Sequence, residues 1–105
     1  MDKEKDIAIL RMFKDGDGDW RDALIIFPEV PATNDEYACL SLGWDGHGAT
    51  NRGVISRTEP LSPNSAEGKY ILALAKKAGW NPKVVERWSQ EYDRVRHAAL
   101  RAMGR

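Results

Sequence analysis

The sequence predicts an α+β fold, a three- to four-stranded, mainly antiparallel sheet packed against two C-terminal helices. Three observations carry this. Residues 1–61 are rich in β-branched residues and turn formers. Residues 62–105 carry helix start and stop signals. Between them lies no stretch of linker composition, and no repeat is visible. The 105 residues therefore read as one domain, with residues 1–61 as the sheet portion and 62–105 as the helical portion over a shared core. A chain of this length can bury a core without disulfide or metal support.

Ile7 to Phe13 precedes a double Asp-Gly turn signal, Asp15-Gly16-Asp17-Gly18-Asp19. Ile7, Leu10 and Phe13 would also suit a short helix, but the turn favours a strand in a hairpin. Its partner is Ala23-Leu24-Ile25-Ile26-Phe27, apolar on both faces as a central strand is. Pro28 and Pro31 are expected to end that strand, because proline removes a ladder donor. Tyr37 to Trp44 alternates. Ala38, Leu40, Leu42 and Trp44 take one side; Tyr37, Cys39 and Ser41 take the other, the pattern of a half-buried strand. Gly53 to Thr58 reads as a short edge strand.

Ser62-Pro63 is a helix start signal, and Ile71, Leu74, Ala75 and Ala78 form one apolar stripe. Lys76, Lys77 and Gly79 mark the end of that helix. Asn81-Pro82 opens a second helix, predicted to reach about Met103. Within it Val85, Trp88, Tyr92, Val95, Ala99 and Ala102 recur at spacings of 3 and 4. That seam suits packing on the sheet, or pairing with a second copy through Val85, Trp88, Tyr92, Val95 and Ala99. The expected core is Leu24, Ile26, Leu40, Leu42, Ile71, Leu74, Val85, Trp88 and Tyr92.

Sixteen basic residues balance sixteen acidic ones. A formal charge of zero supplies no general attraction to nucleic acid or anionic lipid. Cys39 is the only cysteine, which excludes an internal disulfide. The charged N-terminus lacks the apolar run of a signal peptide, and the longest apolar stretch, Ala23 to Phe27, cannot span a bilayer. A soluble, cytoplasmic protein is expected.

The segment Gly43 to Gly53 holds four glycines with Trp44, Asp45, His47 and Arg52. Such a segment serves as a plain hairpin connection or as a recognition loop, since tryptophan and arginine are favoured interface anchors. Gly48 to Gly53 has the glycine spacing of a phosphate loop but lacks its Lys-Ser/Thr, and Val54-Ile55 follow where a helix should start. Asp15, Asp17 and Asp19 open like a calcium loop, yet Trp20 and Ile26 occupy the positions of its glycine and bidentate glutamate. Cys39, Asp45 and His47 could form a small nucleophilic or metal site, although His97 and these three show no metal-ligand spacing. Arg94, Arg96 and Arg101 give the last helix a basic C-terminal half, offset by Glu86, Glu91 and Asp93.

Phe27-Pro28-Glu29-Val30-Pro31, Tyr37-Ala38-Cys39, Gly46-His47-Gly48 and Arg57-Thr58-Glu59-Pro60 together resemble small uncharacterised bacterial proteins of plasmid, phage or genomic-island type. The similarity spans roughly residues 24 to 80. Those proteins have Gly-Gln before His-Gly where this chain has Asp45-Gly46. The resemblance implies an accessory protein of a mobile genetic element and transfers no activity or functional residue.

With no complete catalytic set, the sequence leans away from an enzyme, and no cofactor or metal is expected. The first functional expectation is a non-enzymatic module that binds an unidentified protein partner through Trp44, Asp45, His47 and Arg52. The alternatives are nucleic-acid binding through Arg94, Arg96 and Arg101, and a small enzyme or metal site around Cys39, Asp45 and His47.

Overall fold

The computed structural model describes residues 5–16, 20–33, 36–41, 46–50 and 53–104. It is an α+β fold with a mainly antiparallel sheet. Along the chain run β1 (Asp6–Phe13), a 3-10 turn (Trp20–Asp22), β2 (Ala23–Thr33), β3 (Glu36–Ser41) and β4 (Gly46–Thr50). Then follow α1 (Val54–Arg57), β5 (Thr58–Pro60), α2 (Ala66–Lys77), β6 (Pro82–Val84) and α3 (Gln90–Ala102). The sheet order is β4-β3-β2-β1-β5, with β6 also on β1.

Residues 7–13 are a strand. Ile9 pairs with Ile26 and Leu10 with Ile25 in the expected hairpin. The strand after the turn is longer than expected and passes through both prolines. Its pairing with β1 stops at Ile26, two residues before Pro28, and its register with β3 shifts between Phe27 and Pro31 and again before Thr33. The prolines thus end one ladder and bulge the other without ending the strand.

The sheet is buried on both faces. Ala8, Leu10, Ala23, Ile25, Phe27 and Leu40 pack with Ile71 and Ala75 of α2 on one side. Leu24, Ile26, Tyr37, Cys39 and Val54 pack on the other, joined by Phe13, Ile55 and Trp88. α3 lies on this second face, where Arg96 and Leu100 are buried and the Arg96 guanidinium sits 4.3 Å from the Tyr37 ring centroid. The alternation in β3 therefore separates two cores rather than a core from solvent. Of the expected core, Leu24, Ile26, Leu40 and Ile71 are buried, while Leu74, Val85, Trp88 and Tyr92 are half-buried. Leu42 lies outside the described residues.

Three elements differ from expectation. Residues 54–57 form α1 instead of a strand, because Val54 buries into the second core and Arg11 holds the helix's carbonyl end. α2 starts at Ala66 with Ser65 as its cap, the Ser65 hydroxyl accepting the Gly68 N–H at 3.0 Å. Ser62, the expected cap, instead closes the preceding turn by accepting the Ser65 hydroxyl on its carbonyl at 2.6 Å. Lastly, residues 82–84 pair with β1 as β6, so the final helix starts only at Gln90 under a Ser89 cap. The free edge of β1 outweighs the helix signal of Asn81-Pro82, and the Asp6 carboxylate accepts the Asn81 N–H at 2.8 Å. Val85 and Trp88 consequently lie off the helix and Val95 is exposed, so the expected seam does not form as one helical stripe.

Candidate functional site

The expected recognition loop is a strand where it is described. Gly46 to Thr50 pairs residue by residue with β3, His47 opposite Leu40 and Gly48 opposite Cys39. Pairing with the edge of β3 overrides the weak β-propensity of glycine. Trp44, Asp45 and Arg52 lie outside the described residues, as do Asp17 and Asp19.

The three arginines of the last helix do not share a face. Arg94 is exposed and pairs with Glu91 at 3.3 Å, and Arg101 is exposed, but Arg96 turns inward. There it is 3.7 Å from Asp93 and 3.2 Å from the Nε2 of His97. Asp93 also accepts the Tyr37 hydroxyl at 3.2 Å and the Trp88 indole N–H at 3.4 Å. Trp88 meets the Tyr37 ring edge-on, at 4.8 Å between centroids. Tyr37, Trp88, Asp93 and Arg96 thus form a clamp that fastens α3 to β3.

Cys39 is buried in the second core, and burial, then Glu36, pushes its thiol up to about 11. A nucleophilic thiol needs the opposite shift and access to solvent. On β2, Glu29 is raised by burial and then by the nearby Glu91. Among the described residues no three histidine, cysteine or acidic side chains converge as a metal set.

A concavity lies where the sheet splits. β5 runs antiparallel to β1 and pairs up to Arg11–Pro60; β6 runs parallel and pairs up to Ala8–Val84. The two short strands approach head to head along one edge and both leave it, one at Leu61 and the other at Val85. Between them opens a groove of about 680 Å³. Leu10 and Arg11 form its floor, residues 60–63 one wall, and residues 84–88 the other. Arg11 donates to the Thr58 hydroxyl at 2.9 Å and to the carbonyls of Thr58 and Ile55 at 2.6 and 3.0 Å. Burial holds its guanidinium below the usual arginine range, opposed by Glu59. All three hydrogen-bond partners are neutral. Glu86 and Arg87 stand exposed at the rim. The groove was not visible in the sequence, because it depends on residues 82–84 forming a strand rather than a helix.

A groove of this volume matches ordinary ligand sites, and its prolines, valines and tryptophan surround a few charged groups. Among the described residues that line it there is no histidine or cysteine to form a nucleophile–base pair. No family model, curated protein or solved structure matches the chain. Among the described residues no helix is long and apolar enough to cross a membrane.

Proposed function

We propose that this chain is a small cytoplasmic accessory protein of a mobile genetic element that acts by binding another protein and performs no catalysis. The observation that carries the reading is the groove at the sheet split. Its apolar walls suit a short extended segment of a partner. Arg11 and Arg87 against the single Glu86 favour a segment with an acidic residue beside an apolar one. The buried, proton-holding Cys39 supports a non-enzymatic role, and the inward turn of Arg96 weighs against nucleic-acid binding on α3.

Selection of displayed peptides on the purified protein tests this. Enriched peptides should share an acidic–apolar pattern, shift the amide resonances of residues 84–88, and bind about tenfold more weakly to Arg87→Glu. Peptides that ignore the charge reversal, or that shift only residues away from the groove, would refute it.

A further inference from the structure

The two edges of the sheet differ in construction. On the β1 side, β5 and β6 have three residues each, contain Pro60 and Pro82, and expose Glu59 and Lys83. Short strands, prolines and charges keep an edge from recruiting another chain. On the far side β4 ends the sheet with Gly-His-Gly-Ala-Thr, a segment without proline or formal charge. Among the described residues no strand covers its outer side.

The register identifies which backbone groups point outward. The N–H groups of Val85 and Leu61 donate to the carbonyls of Ala8 and Leu10, so the even residues of β1 address β5 and β6. Ile9 and Arg11 then address Ile26 and Leu24 of β2. By the alternation of an antiparallel ladder, Ile25 and Phe27 address Leu40 and Ala38. Tyr37, Cys39 and Ser41 in turn address Thr50, Gly48 and Gly46. The N–H and C=O groups of His47 and Ala49 are left pointing away from the sheet.

We propose that β4 pairs antiparallel with β4 of a second copy, about a two-fold axis at Gly48. In that register His47 faces the partner's Ala49 and Ala49 faces the partner's His47, which makes four backbone hydrogen bonds. Gly48 meets the partner's Gly48 at the close, non-hydrogen-bonded position, with Cα atoms about 4.5 Å apart. Glycine fits this approach because it has no Cβ. A second copy suits this edge because the pairing is self-complementary about the axis and β4 carries no formal charge, so no charged side chain is brought opposite another within it. The zero formal charge of the chain adds no long-range repulsion. Five paired residues make a small interface, so association depends on concentration. This surface is separate from the groove.

Light scattering and amide exchange on the intact chain, from about 10 µM to about 1 mM, test the proposal. The mass should rise from 11.8 kDa toward twice that value. Exchange of the His47 and Ala49 amides should slow at least about tenfold, while the Gly48 amide, bonded to β3, is protected throughout. Ala49→Pro removes an outward donor without touching the β3 ladder and should stay monomeric. Should that variant not fold, the wild-type exchange pattern decides. A monomeric mass throughout, a dimer whose His47 and Ala49 amides still exchange fast, or a dimeric folded Ala49→Pro would each overturn the pairing.

Discussion

Cys39 and Gly68 show how much two small residues are constrained by what surrounds them. The Cys39 thiol keeps its proton to about pH 11 in the folded chain, whereas an unfolded cysteine loses it near pH 8.5. Between these values the native state holds more protons than the unfolded state, so stability falls as pH rises; below the window the effect is absent. Urea unfolding at pH 8 and pH 10 should show wild type losing about 1–2 kcal/mol more than Cys39→Ala. Equal losses would mean that the thiol is not held protonated. Gly68 needs the absence of a side chain, since a Cβ there would fall on the Ser62 carbonyl oxygen and close to the Ser65 hydroxyl. Alanine in an exposed helix would gain about 1 kcal/mol over glycine. Here Gly68→Ala should instead lower stability by about 1–3 kcal/mol, read from the denaturant midpoint, because the contact is with backbone that cannot move aside.

Among the elements, α3 depends on its clamp. Asp93→Ala removes the carboxylate that accepts from the Tyr37 hydroxyl and the Trp88 indole and lies 3.7 Å from the buried Arg96. Breaking such a set costs about 2–4 kcal/mol. Hydrogen exchange should show α3 opening while amides of β1 and β2 keep their protection; an unchanged α3 would assign the holding force to Leu100 alone. The same element marks the limit of what the sequence discloses. Its end at Gly104 and the apolar run Ala23 to Phe27 could be read directly, because capping chemistry and two-sided burial are local. The strand character of residues 82–84 could not, since it arises from an edge of β1 some 75 residues away in sequence. The helical turn at 54–57 was hidden likewise. Val-Ile-Ser-Arg favours a strand until Arg11, 44 positions earlier, donates to the Ile55 carbonyl. The groove inherits this opacity, being made of the segments that long-range pairing redirects. The expected recognition residues were drawn from a run of glycines whose described part is itself a strand.

Over the whole molecule, helices cover both sheet faces, β5 and β6 share one edge, and β4 forms the other. The shared edge has a consequence for synthesis. β1 is made first, and β2, β3 and β4 can fold against it as each emerges. Its outer side waits for residues 58–60 and then for 82–84. At roughly 5–20 residues per second, the ribosome takes a few seconds to add the 34 residues from Asn51 through Val84. During that interval the nascent sheet presents bare hydrogen-bonding groups of β1 to solvent, including the carbonyl of Ala8 that Val85 later occupies. The first-made strand of this sheet is thus the last to be completed, and slowing translation between residues 60 and 84 should raise aggregation of the nascent chain without altering the finished one.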